Sequence, residues 1–107
     1  MPESPKRVRA IRMHFDDSVA ILIEDAAAGD EIVLETGAGA AEPAVRAAEP
    51  IPYGHKVALR AIAVGEPVIK YGERMGIART AIAPGEHVHV HNVRGLTTEE
   101  RSVSARG

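Results

Sequence analysis

The chain has 107 residues, no cysteine and a formal net charge of −2, with acidic and basic residues interspersed along it. This length is typical of one domain, and the charge balance argues against the clustered basic face of a nucleic-acid-binding protein. Without cysteine the chain has no disulfide, no thiolate zinc site and no thiolate-bound iron–sulfur cluster. This is common in cytoplasmic proteins, and we expect a cytoplasmic location.

The apolar residues are almost all aliphatic, since the chain has one Phe, two Tyr and no Trp. A core so poor in aromatic residues favours packing against another chain, either a partner or a second copy. No apolar run reaches the ~20 residues of a membrane span, and no apolar signal-peptide segment follows the polar N-terminus. We therefore expect no membrane association.

Short β-like runs alternate with Gly- and Pro-rich turns, which predicts a small all-β fold, either a folded sheet or a barrel. We expect a domain over residues 8–93, between a flexible N-terminal tail (1–7) and a flexible C-terminal tail (94–107). The Ala/Gly-rich residues 37–43 predict a mobile hairpin tip. The expected strands of the first half cover residues 8–13, 19–24, 31–36, 45–48 and 55–62.

A short pattern recurs with an offset of 20 residues, in residues 61–68 and 81–88, and more weakly in residues 27–32. In each copy a glycine and an acidic residue precede a β-branched run, which predicts a turn with a positive φ followed by a strand. The alternative is that this is a common way to enter a strand and that the copies are coincidental.

Three of the five histidines lie in one short segment, as His87, His89 and His91. An extended strand would place them on one face and Val88 and Val90 on the other. Three interpretations stay open: a solvated strand surface, an acid/base or substrate-binding site, or a metal site. In a straight strand the outer pair lies about 13 Å apart. A metal would therefore need two of the three, for example His89 and His91, and a ligand from elsewhere.

Other polar side chains next to turns are candidates for substrate binding. His55 and Lys56 follow a glycine that would allow a close approach of a ligand to the backbone. Lys70 and Tyr71 precede another glycine and offer a cation and a phenol donor to a carboxylate. His14 precedes two aspartates. Each of these patterns also fits an ordinary surface or turn, so none is specific alone.

Taken together, the motifs resemble the N-terminal SAF domain of the altronate/galactarate dehydratase family, which includes the sulfolactate sulfo-lyases. The matching segments read GHKVA (residues 54–58), IKYG (69–72) followed by Gly76 and Ala78, and GEHVHVHN (85–92). The resemblance implies an all-β fold of the β-clip type.

The segment that begins at His14 departs from the family pattern. The family tends to have His-Pro-x-Asp-Asn there, whereas this chain keeps His14 and Asp17 but has Phe15 and Ser18 in place of Pro and Asn. The turn geometry at this point is therefore not implied by the resemblance.

The resemblance implies the separate small subunit of a hydro-lyase that eliminates water from a sugar acid or related 2-hydroxy acid. A large catalytic subunit would be its partner and would hold most of the ligands of a divalent metal. The alternative is a non-catalytic SAF-type module that binds a carboxylate or carbohydrate or stabilises the large subunit. We expect catalytic roles for His55, His87, His89 and His91, and substrate-binding roles for His14, Lys56, Lys70, Tyr71 and Asn92.

Overall fold

A computed structural model of the chain describes residues 5–35 and 43–102. These residues form nine short strands and one short helix, which confirms the predicted all-β class. Most of the predicted hairpin tip (37–43) lies outside the described residues. The elements are β1 (Arg7–Ile11), β2 (Val19–Leu22), β3 (Glu31–Leu34), β4 (Pro43–Arg46), β5 (Lys56–Ala58), β6 (Pro67–Lys70), β7 (Glu73–Ala78), β8 (His87–Val88), β9 (Val93–Arg94) and α1 (Thr98–Ser102).

The strands form two sheets that share a core. The larger sheet has the order β4-β3-β1-β2-β5-β8 and is antiparallel except between β1 and β3, and the smaller has the order β6-β7-β9. Val19, Ala58 and Val88 of the larger sheet pack with Val68 and Ala78 of the smaller sheet in one buried cluster. This packing sets the β6–β7 hairpin beside the β5–β8 edge of the larger sheet.

Four turns share one backbone pattern, in which a buried residue is followed three positions later by a glycine with a φ between 84° and 93°. The first two turns are joined by mutual backbone hydrogen bonds between Ala26 and Ile51, and the last two by the same bonds between Ile62 and Ile82. The predicted repeat is therefore a structural one. The copy at residues 51–55, which the sequence pattern did not reveal, has Pro52 and His55 where the other three copies have Ala and an acid. The turns cover residues 26–30, 51–55, 62–66 and 82–86.

Some residues of both predicted tails take part in the strands, the helix and their hydrogen bonds. The backbone N–H of Lys6 donates to the Asp30 carboxylate at 3.2 Å, and β1 begins at Arg7. After residue 93, two reciprocal hydrogen bonds cap the N-terminus of α1. Glu100 N–H donates to Thr97 Oγ1 at 3.1 Å, and Thr97 N–H donates to the Glu100 carboxylate at 2.8 Å. This Thr-x-x-Glu capping box is a sequence signal of a helix start.

Over the two described ranges, no helix is long and apolar enough to cross a bilayer.

Candidate functional site

Three imidazoles converge at the edge of the larger sheet, where β5 and β8 pair. Nδ1 of His55 and Nε2 of His87 are 2.8 Å apart and share a hydrogen bond. The ring of His89 lies 4.5 Å from that of His55 and 5.5 Å from that of His87, measured between centroids. One nitrogen of each of the three rings lies within 4.8 Å of the others. We call His55, His87 and His89 the histidine cluster.

Strand pairing and turn chemistry both position His55. The antiparallel register of β5 and β8 pairs Val57 with His87 and Lys56 with Val88, so the preceding residue, His55, lies beside the end of β8, where His89 follows. In the other three turns the residue after glycine is an acid that accepts a hydrogen bond from a backbone N–H three residues earlier, at 2.7–3.0 Å. In this turn that earlier residue is Pro52, which has no N–H. The residue after Gly54 therefore has no backbone N–H to accept, and a histidine can occupy this position.

The histidine segment is not the extended strand that alternation predicted. β8 ends at Val88, residues 89–92 form a turn, and Val90 is 70% exposed instead of packing with Val88. The cause is the buried Asn92. Its Oδ1 accepts the backbone N–H of His89 at 2.9 Å, and its Nδ2 donates to the His87 carbonyl at 2.8 Å.

This turn decides where the remaining histidine lies. The exposed His91 ring is 5.3 Å from that of His87 between centroids, although an extended strand would separate their Cα atoms by about 13 Å. His91 borders the histidine cluster without belonging to it. Of the two predicted metal ligands, the structure therefore places His89 in the cluster and His91 at its edge.

Burial and neighbouring positive charge lower the pKa of two of the three cluster rings, His87 and His89. The pKa of His87 is lowered by burial first and then by the neighbouring His55, His91 and His89, while Glu49 acts in the opposite direction. The Glu49 carboxylate accepts the backbone N–H of His87 at 3.0 Å. Sequence reasoning missed Glu49, because an acid before a proline in a loop carries no signal of a site. Neutral imidazoles offer lone pairs to a proton or a metal.

Two lysines place positive charge beside the cluster. The pKa of Lys56 is lowered by partial burial and by the charge of Lys70. Burial, His55 and Lys56 together lower the pKa of His89. Nζ of Lys70 lies 4.8 Å from the centroid of the Tyr71 ring. The structure thus brings together predicted residues from three separate segments, and the paired cations suit an anionic ligand.

An open pocket of about 240 Å³ adjoins this site. Two cations, Lys56 and Arg94, and one imidazole, His89, share its wall with aliphatic groups. Such a mixed lining is typical of small-molecule sites, where a few polar groups orient a ligand on an apolar surface. The full lining is Lys56, Met75, Val88, His89, Val90, Val93, Arg94 and Gly95.

His14 lies away from the histidine cluster, in a turn that is held by hydrogen bonds to the buried Asp17. One carboxylate oxygen of Asp17 accepts the His14 N–H at 3.1 Å, and the other accepts the Gly72 N–H at 2.7 Å. Gly72 is packed so closely that a Cβ there would lie 3.1 Å from the His14 ring. The structure thus joins His14 to the β6–β7 hairpin rather than to the histidine cluster.

The same hairpin holds Tyr71 in an unusual backbone conformation. Its φ is +60°, a left-handed value that is uncommon for a bulky residue. Such strain costs on the order of 1–3 kcal/mol and persists only where the surroundings enforce it. Here Asp17 fixes the next residue, and the Ser18 hydroxyl accepts the Ile69 N–H at 2.9 Å. Ser18 thus supplies an acceptor at the point where the sequence departs from the family pattern.

A family model described as the altronate/galactarate dehydratase SAF domain matches residues 8–96. The chain belongs to this family. The match confirms the resemblance seen in the sequence motifs, and it extends slightly beyond the predicted boundary at residue 93.

Relatives of this SAF domain include an altronate dehydratase of Escherichia coli. It is 40% identical over 84 residues, which cover 78% of this chain and 16% of the relative. A (2R)-sulfolactate sulfo-lyase subunit alpha of Chromohalobacter salexigens is 54% identical over 44 residues, 41% of this chain and 47% of the relative. The corresponding subunit of Paracoccus pantotrophus is 50% identical over 44 residues, 41% of this chain and 66% of the relative. This chain therefore spans about a sixth of the length of the altronate dehydratase.

Proposed function

We propose that this SAF domain is the small subunit of a hydro-lyase that removes water from a sugar acid or related 2-hydroxy acid. A separate large subunit would complete the active site. The observation that carries the proposal is the histidine cluster with Lys56 beside it, since the same face offers proton-transfer groups and a cation. Membership of the altronate/galactarate dehydratase family and the similarity to sulfo-lyase alpha subunits support it.

The reaction has three requirements that these residues address. A base removes the proton from the carbon beside the carboxylate, an acid protonates the departing hydroxyl, and cations bind the carboxylate. Lys56 and Lys70 would supply the cations. Tyr71, whose ring centroid lies 4.8 Å from Nζ of Lys70, would donate its phenol O–H to the same ligand. Imidazoles can take either proton-transfer role near neutral pH.

Each histidine has its own part in this proposal. The histidine cluster would provide the acid or base. His91, which is exposed at the edge of the cluster, would contact the substrate. Asn92 serves substrate binding indirectly, because both ends of its amide hold the backbone of His87 and His89. His14 orients the hairpin that carries Lys70 and Tyr71.

The remaining groups would come from the large subunit. Among the described acids, Glu49 lies beside the histidine cluster, and one of its oxygens accepts the His87 N–H at 3.0 Å. A hard divalent metal prefers a shell of several oxygen ligands, more than one carboxylate supplies. A divalent metal held mainly by the large subunit would supply a Lewis acid for the departing hydroxyl.

Reconstitution tests this function. The chain and its large partner would be purified apart, mixed, and assayed for water loss from altronate, galactarate and other sugar acids. We expect turnover from the mixture and none from either chain alone. Replacing His89 by Asn should lower kcat by about 10²–10⁴ while leaving the assembly intact. A large chain that is fully active alone would overturn the proposal.

A second candidate is a non-catalytic module that binds a carboxylate or carbohydrate or stabilises the large subunit. The cationic and apolar lining of the pocket beside Lys56 favours binding by itself. The same His89→Asn variant separates the two functions, since a change in KM or in assembly with kcat preserved would support this second candidate.

A further inference from the structure

We propose that His55, His87 and His89 bind a first-row transition-metal ion on this chain alone, without ligands from the large subunit. The inference deepens the proposed function by giving this chain a metal of its own. It rests on the geometry of the chain, so metal binding and turnover are separate measurements.

The distances carry the first step. A metal bound at ~2.1 Å by each of three imidazoles in a tetrahedral arrangement needs nitrogens about 3.4 Å apart. Here one nitrogen of each ring lies within 4.8 Å of the other two. Nδ1 of His55 lies 2.8 Å from Nε2 of His87. Small rotations of the half-buried rings would bring all three nitrogens onto one ion. An ion bound by His55 and His87 would replace the proton of their hydrogen bond, and that proton would leave to solvent.

The backbone holds these ligands before any ion binds. His87 is fixed by its strand pair with Val57 and by the Glu49 carboxylate on its N–H. His89 is fixed by the buried Asn92. His55 occupies the one turn of the four in which proline removes the need for a side-chain cap. Ligands on rigid elements with supporting hydrogen bonds lose little freedom when they bind.

The chemistry of the donors selects the class of ion. Imidazole nitrogens suit Zn²⁺, Co²⁺, Ni²⁺ and Cu²⁺, whereas Mg²⁺ and Ca²⁺ require oxygen ligands. The cluster consists of imidazoles, and the whole chain has no cysteine to favour a thiolate-bound ion. A three-nitrogen site leaves a coordination position open, as in catalytic zinc sites.

Titration of the chelator-treated full chain tests the site. Calorimetry with Zn²⁺ and absorption spectroscopy with Co²⁺ should both show one ion per chain, while Mg²⁺ should show none. Replacing His87 or His89 by Asn should weaken Zn²⁺ binding at least 10-fold, since loss of a supporting partner alone costs about 10–100-fold. His14→Asn is the matched control, because His14 lies at another corner, and it should keep the wild-type affinity.

Pulsed electron paramagnetic resonance of the Cu²⁺-loaded wild-type chain counts the bound imidazoles and does not depend on the folding of any variant. Three coupled imidazoles support the site, and fewer overturn it. The proposal also fails if Zn²⁺ does not bind stoichiometrically, or if His14→Asn weakens binding as much as His89→Asn. Stoichiometric Zn²⁺ binding without turnover in the reconstituted pair would contradict the hydro-lyase function alone. Turnover without Zn²⁺ binding by this chain would contradict the metal site alone.

Discussion

The rings of His55 and His87 are joined by a 2.8 Å hydrogen bond between Nδ1 and Nε2, although 32 residues separate them in the chain. One of the two nitrogens donates the proton of this bond and the other accepts it, and the tautomer of each ring sets the direction. This relationship depends on the β5–β8 pairing and on the turn before β5. It links the GHKVA motif to the histidine segment, which had no evident connection in the sequence.

Lys56 is expected to bind the substrate carboxylate. In the reconstituted enzyme, Lys56→Gln should raise KM about 10–100-fold, because a hydrogen bond to a charged group contributes about 1.5–3 kcal/mol. Lys56→Arg keeps the charge and should recover part of the loss. Arg7→Gln is the control, since Arg7 lies on β1 in an exposed ion pair with Glu31. Steady-state kinetics decide the matter, and an unchanged KM in Lys56→Gln would exclude this role.

Asn92 is expected to hold the turn that shapes the histidine cluster. Asn92→Ala removes the partner of the His89 N–H and of the His87 carbonyl, so it should lower the free energy of unfolding by about 1–3 kcal/mol. Asn92→Asp keeps the acceptor and should cost less. Urea denaturation measures both variants. Equal losses would mean that the acceptor contributes nothing.

Gly85 is expected to tolerate no side chain. A Cβ there would collide with the Arg46 carbonyl oxygen, and the φ of Gly85 is +89°. Gly65 has nearly the same φ, +84°, with nothing within 4 Å of an added Cβ. Gly65→Ala should therefore cost only the left-handed backbone strain, about 1–2 kcal/mol, and Gly85→Ala should cost clearly more. Similar denaturation midpoints for the two variants would contradict this packing.

Glu100 is expected to couple the last helix to pH. Its bonds to Arg94 and to the Thr97 N–H lower its pKa from 4.5 to about 2. Because the folded pKa is depressed, the carboxylate stabilises this contact above pH 4.5, and the stabilisation is lost as the pH falls from about 4.5 to about 2. Nuclear magnetic resonance of the backbone amides of α1 should follow that transition. In Glu100→Gln the transition should disappear, and its persistence would assign it to another group.

Local sequence signals were enough for the fold class and for the turns. Each of three turns carries a glycine that takes a positive φ and an acid that caps a backbone N–H only three residues away. The capping box at Thr97 is a signal of the same kind, but the polar composition of the segment concealed it. Interactions over a few residues can be read from the sequence because the residue types alone specify them.

Alternation misled the interpretation of the histidine segment for a physical reason. A strict polar–apolar pattern predicts a strand only if no competing hydrogen bonds end it, and the Asn92 amide bends the chain after Val88. No sequence rule indicated that this amide would face the backbone of His87 and His89.

The sequence by itself determined the family, the all-β class and which residue types could carry chemistry. Only the tertiary structure decided that His55, rather than His91, completes a group with His87 and His89, and that Lys56 and Lys70 lie close enough to lower a pKa. The reason is that these contacts depend on strand register and on the packing of two sheets. Both arise from the whole core rather than from any local pattern.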